Sequence, residues 1–439
     1  MTNQNIPAKQ RALILQGAGA LGAYDAGVFQ AIYENLEQKD ENKPLFDIVA
    51  GTSSGAMNAA ILVSHVAEND NSWKGSADKL KDFWNNVSRA PGDIKIGIPQ
   101  GEGIPGFNNW WKYWHKADSN IASEEAARRY YSSKEFLYTG VLRVFFPLLL
   151  PKTDNRFFDN FIILINNTWY VFSNQPLKES LKFSKFPIST SFEKDRKQPR
   201  LLLVSVDVLE GAAVTFDSYP KIDGSRKSEY GKSEYLKLDG DDINNNRTEY
   251  TIYYNEVVNL EHAIASGSVP INYDYAKIEA DRLTIENRGN KKVEKVDRYF
   301  WDVGIASNTP LRELIQAHKD YWLDVMGIGK EDSQSIPDLE VFIVDVWPTK
   351  RKDIPLDHDG AINRNLDLLM CDKTDYDEKV ANIVIIFACI ILFFRYSQHN
   401  IYNLLRFSCN NAFKNSPETF EFICKVFVLI ICIIKRTTY

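Results

Sequence analysis

Apolar runs open the chain and alternate between two periods. Residues 12–15 form a compact apolar stretch of strand length. Residues 22–36 follow, with Ala23, Ala26, Val28, Phe29 and Ile32 recurring at helical spacing. Residues 48–50 read as a second strand and residues 56–66 as a second helix. Strands alternating with helices predict a mostly parallel sheet covered by helices on both faces, a three-layer α/β fold. Further on, residues 200–207 read as a fully buried strand, with residues 212–216 as its hairpin partner after Glu210-Gly211. Residues 262–266 end a helix of small residues, 299–302 form a short strand, 310–322 a helix with Pro near its first turn, and 339–346 a late strand.

Between these elements the pattern breaks down. Residues 92–193 form an insertion rich in aromatics, including Trp110-Trp111-Lys112-Tyr113-Trp114 and Val144-Phe145-Phe146-Pro147. The tryptophans are open to three readings: an aromatic core, a lipid-interface contact, or a lid. Residues 221–247 and 286–298 are polar and read as turn-rich loops. Asp239-Gly240-Asp241-Asp242 lacks the spacing and terminal Glu of a calcium loop, so no metal site is expected there.

The end of the chain differs in composition. All five cysteines fall at 371 or later, and residues 383–394 and 427–434 are nearly all apolar, each shorter than the about 20 residues of a spanning helix. Three readings of this tail stay open: a buried helical pair, a membrane-associating hairpin, or an out-of-frame end. The expected organisation is a polar arm (1–10), a main domain (11–350) carrying the insertion, an extension (351–379) and the tail (380–439). No signal peptide is legible, which points to a cytoplasmic protein with peripheral membrane contact. A net charge of −6 without a dense basic run argues against nucleic acid as a partner. The absence of any C-x-x-C pair argues against zinc.

Three turns carry chemistry. Gly17-Ala18-Gly19-Ala20-Leu21-Gly22, between the first strand and helix, is a glycine nest whose amides suit a phosphate or an oxyanion. A dinucleotide would want an acidic residue near the end of the second strand, where Gly51-Thr52-Ser53-Ser54-Gly55 stands instead, so no nucleotide cofactor is expected. That second turn is a G-x-S-x-G elbow, and its small glycines allow a sharp turn that exposes a serine. The third is Trp301-Asp302-Val303-Gly304, a strand ending on an aspartate followed by a glycine turn.

Together and in this order, with Ala265-Ser266-Gly267-Ser268-Val269-Pro270 before the aspartate, the motifs resemble the patatin-like phospholipases, on the bacterial side of that family, over residues 11–350. The resemblance implies a lipid acyl hydrolase with a Ser-Asp dyad and no cofactor. Ser53 would be the nucleophile and Asp302 the base. The amides of Gly17, Ala18 and Gly19 would form the oxyanion hole, with Gly22, Gly51, Gly55 and Gly304 as motif glycines. The implied partner is a lipid at a membrane or micelle surface. Val303 stands where the family usually has glycine, and Leu21 where it often has arginine. Two alternatives accompany this reading: a lipid-binding or interaction module impaired by Val303, and a Ser-His-Asp hydrolase using His318, on a helix face that looks exposed, His358, in a polar loop, or His399 in the tail.

Overall fold

The computed structural model describes residues 6–37, 44–88, 141, 143–148, 170–182, 184–192, 198–220, 228–236, 247–254, 257–285, 291–326, 336–347, 349–350, 352, 354–355 and 358–371. The chain divides into two compact units, Met1–Asp372 and Lys373–Tyr439. All described residues belong to the first. The tail from 380, the Trp110–Trp114 cluster, the Asp239–Asp242 loop and His399 lie outside them.

The elements in chain order are β1 (Lys9–Leu15), α1 (Gly22–Glu37), β2 (Ile48–Thr52), α2 (Ser54–Glu68), α3 (Ser76–Val87), β3 (Phe146–Pro147), β4 (Phe172–Ser173), α4 (Gln175–Leu181), β5 (Arg200–Asp207), β6 (Ala212–Asp217), β7 (Ser228–Leu236), β8 (Arg247–Tyr254), α5 (Leu260–Gly267), β9 (Ala276–Ile285), β10 (Lys291–Trp301), α6 (Gly304–Ser307), α7 (Leu311–Asp320), β11 (Asp338–Val344) and α8 (His358–Met370).

The central sheet runs β11-β1-β2-β5-β10-β9-β8-β7, with β6 on the second edge of β5. The strands from β11 to β5 pair in parallel, and those from β10 to β7 extend the sheet antiparallel. Period-two alternation in β1 serves two cores at once. Leu13 and Leu15 face α1, α2, α3 and α5 on one side, whereas Ala12 and Ile14 face Leu311, Leu314 and Ala317 of α7 on the other. Helices therefore cover both faces, as expected of three layers.

Two polar stretches expected as loops contain strands. Residues 221–247 include β7, which pairs with β8, and residues 286–298 include most of β10, which pairs with β9 from Lys291↔Ile285 to Phe300↔Ala276. Charge density hid the second of these. Across β9 and β10, Lys295 pairs with Glu279 and Asp281, Lys277 with Asp297, and Arg282 with Glu294. A charged strand is stable when opposite charges face one another on its solvated side.

Two histidine expectations are corrected. His318 is buried, because the chain after α7 continues as a π-helical turn, Tyr321–Val325, whose Tyr321 and Trp322 close over that side with Tyr219. His358 begins α8 instead of lying in a loop.

Candidate active site

The register of β5 accounts for the site. β6 occupies one edge of β5 from Leu202 to Asp207. The other edge is shared, with β2 paired as far as Thr52↔Val204 and β10 paired at Phe300↔Asp207 and Trp301↔Val206. β2 runs parallel to β5 and β10 runs against it, so the two strands meet end to end. Continuing each register by one residue brings both Ser53 and Asp302 level with Ser205.

Ser53 follows β2 at φ 56 and ψ −125, a left-handed conformation that a non-glycine residue adopts only under constraint. The constraint is close packing. A Cβ on Gly51 would overlap the Gly55 carbonyl, and one on Gly55 would overlap the Leu15 carbonyl. The elbow is also tied by hydrogen bonds. Ser53 N–H donates to Ser266 Oγ at 2.9 Å, Ser266 Oγ–H donates to the Val204 carbonyl at 2.6 Å, and Thr52 Oγ1 donates to the Ser307 carbonyl at 3.0 Å. Ser266 thus joins the Ser53 elbow to β5. The Ala-Ser-Gly motif contained this residue, but nothing local in it pointed to this contact.

Asp302 is 8% exposed and its carboxyl is pushed up to about 6. Burial is the main cause; the Ser53 side chain and the Gly304 N–H, which donates to Oδ1 at 2.8 Å, oppose it. Its own N–H donates to the Ser268 carbonyl at 2.8 Å. Val303 is buried at φ −91 and ψ 5, in the sparsely populated bridge region, whose negative φ does not require glycine, so valine in the glycine position is compatible with the turn. Tyr273 lies beside this carboxylate, its phenol pushed up by burial and by the Asp302 charge, and it joins Phe145 and Phe172 in an aromatic cluster. The Phe145 part of the aromatic insertion is therefore core.

The glycine turn lies against the elbow. A Cβ on Gly17 would fall 2.9 Å from Ser53 Cβ, and one on Gly22 would fall 2.8 Å from Ser54 Cβ. Gly19 takes φ +55 and has open space around it. Of the three candidate oxyanion amides, two are engaged: Gly17 N–H donates to the Asn308 carbonyl at 3.4 Å and Ala18 N–H to Ser54 Oγ at 3.0 Å. Gly19 N–H has no acceptor among the described residues, and neither has Ser54 N–H, the first amide of α2.

A family model for patatin-like phospholipases matches residues 13–315. The chain belongs to the patatin-like phospholipase family. Members of this family are, as a class, lipid acyl hydrolases. No curated protein matches the chain. Among solved structures, the crystal structure of VipD from Legionella pneumophila is similar at 13% identity and a TM-score of 0.27, over 76% of this chain and 50% of that one. This patatin-like chain thus spans about half the length of VipD.

His318 stands apart from the patatin motifs. His318 sits beside Arg200, whose Nη1 donates to the Ala317 carbonyl. Arg200 is level with Ile48, at the start of β2, whereas Ser53 follows its end. At the about 3.3 Å rise of a strand residue, roughly 16 Å separate the two levels. Burial and then the Arg200 charge hold His318 down at about 4. No helix among the described residues is long and apolar enough to cross a membrane, and none of their His, Cys, Asp and Glu side chains cluster as a metal site.

Proposed function

We propose that the protein is a serine esterase that cleaves fatty-acyl esters of phospholipids or other lipids, with Ser53 as nucleophile and Asp302 as general base. The observation that carries this reading is the buried Asp302 carboxylate, at about 6, facing the serine of a strained elbow. A carboxylate at its ordinary 3.8 is a weak base toward a hydroxyl. Burial makes Asp302 more basic, yet at about 6 it still favours the ionised form at pH 7.

In the first half-reaction Ser53 Oγ attacks the ester carbonyl while its proton passes to Asp302. The tetrahedral oxyanion is stabilised by the glycine turn through Gly19 N–H, with Ser54 N–H at the start of α2 as a second donor. Collapse breaks the ester C–O bond, and the leaving alcohol takes the proton from Asp302. An acyl-Ser53 ester remains. A water then attacks that ester, giving its proton to Asp302, and the released Ser53 oxygen takes the proton back as the fatty acid departs. The lipid is presented at a membrane or micelle surface, and no cofactor enters the scheme. Val303 does not favour an inactive binding module, because its backbone needs no glycine.

The test is hydrolysis of a short-chain nitrophenyl ester and covalent labelling by a fluorophosphonate probe. Ser53→Ala is expected to abolish both. Asp302→Asn is expected to reduce turnover by about 10²–10⁴-fold, the scale of removing a general base. Wild-type labelling at any residue other than Ser53 overturns the proposal.

A further inference from the structure

One peptide unit of the glycine turn is held at both ends. The Gly17 carbonyl and the Ala18 amide belong to the same planar peptide, so fixing either group orients the other. Trp347 Nε1–H donates to the Gly17 carbonyl at 2.7 Å. On the opposite side, Ala18 N–H donates to Ser54 Oγ at 3.0 Å. Neither contact is expected from the motifs: Ser54 is the variable position of the elbow, and Trp347 lies beyond the residues matched by the family model.

The surroundings add to the hold. Val346 N–H donates to Gln16 Oε1 at 2.8 Å, and Gln16 Nε2 donates to Thr309 Oγ1 at 2.7 Å. The segment just past β11 therefore grips the two residues before Ala18. Ser54 is 3% exposed and packs where Gly22 has no side chain, so its hydroxyl has little freedom to release the amide. With the Gly17–Ala18 peptide fixed in this orientation, the chain turns at Gly19, whose φ is +55 and whose N–H is left open.

We infer that Ser54 and Trp347 are positioning residues for the reaction. They lock the Gly17–Ala18 peptide so that the turn presents Gly19 N–H, and not Ala18 N–H, to the developing oxyanion. The inference rests on the acyl-hydrolase reading above and names residues that the reading does not require. Their action is on the transition state: a mis-aimed amide weakens oxyanion binding without altering how the ground-state ester is held.

Trp347→Phe keeps a ring in place and removes only the donor, and Ser54→Ala removes only the acceptor. Each is expected to lower kcat about tenfold, less than the about 10²–10³-fold of deleting an oxyanion donor, with KM within about twofold. Affinity for a trifluoromethyl ketone, which forms a tetrahedral adduct, is expected to fall by the same factor. Affinity for a non-hydrolysable ether analogue is expected to hold. Because both act on one peptide, the double variant is expected to be little worse than the weaker single variant. A kcat at or above the wild-type value in either single variant overturns the inference; a rise means that Ser54 masks a useful Ala18 amide. Equal losses of ether-analogue and ketone affinity, or a fully additive double variant, overturn it as well. Ser53→Ala, measured alongside, separates the two proposals: residual turnover there counts against the nucleophile assignment, whatever Ser54 and Trp347 do.

Discussion

Ser53 holds a backbone conformation that costs a non-glycine residue on the order of 1–3 kcal/mol. Ser53→Gly is therefore expected to raise stability by about 1 kcal/mol in urea denaturation while abolishing esterase activity. Asp302 carries a similar conflict. Its carboxyl titrates at 3.8 in the reference state and at about 6 when folded. Between those values the folded protein keeps a proton that the unfolded chain releases. The contribution of this group to stability is thus fully present below pH 3.8 and is lost as pH rises through about 6. Above that pH the buried charge costs about 3 kcal/mol, so Asp302→Asn is expected to raise the thermal midpoint at pH 7 as it removes turnover. Wild-type kcat/KM is expected to fall about tenfold per pH unit below about pH 6, as the base is protonated. A pH–rate profile with its acidic limb near 4 counts against the assignment. Asp25, buried in the first turn of α1, has its carboxyl pushed up by burial to about 8, and Asn58 Nδ2 donates to its Oδ2 at 3.4 Å.

At the scale of elements, the pattern is legible where an element's own residues make the core. β1, β2, α2 and β5 show as short apolar runs because they are buried on nearly every side, and α1 shows by apolar residues at helical spacing. Only the end of β10 was legible, around the buried Phe300; residues 291–298 were not, because their exposed positions carry charges that face opposite charges on β9. The glycines show the same division. Gly55 is fixed by a contact with β1 that the motif does not display, and Gly55→Ala is expected to cost on the order of 3 kcal/mol or prevent folding. Gly27, in the middle of α1, has open space where a Cβ would stand. Gly27→Ala is expected to stabilise the protein by up to about 1 kcal/mol, read as a higher denaturation midpoint with unchanged activity.

At the scale of the whole molecule, the placement of the proposed base beside the proposed nucleophile depends on β10 being anchored to β5. That anchor is an ion cluster: Arg298 Nε donates to Asp207 Oδ2 at 2.7 Å, Arg298 Nη2 to Glu210 Oε1 at 3.0 Å, and Tyr254 donates to Asp207 at 3.1 Å. Removing its cation leaves a fully buried Asp207 without compensation. Arg298→Met is expected to destabilise the protein by about 3–5 kcal/mol and to reduce activity through Asp302, measured by urea denaturation beside ester turnover.

The sequence by itself determined the parallel half of the sheet, the elbow at Ser53, the glycine turn and the aspartate at the end of a strand. Each is a local matter of period, small residues and turn geometry. Only the tertiary structure decided that β2 and β10 meet on one edge of β5, that Asp302 is buried, and that His318 lies at the far end of the strands. It also decided which amides of the glycine turn are engaged. Those outcomes depend on contacts such as Trp347 with Gly17, 330 residues apart, and Ser266 with Ser53, 213 apart. Such contacts arise from packing of the whole chain, and no local pattern encodes them.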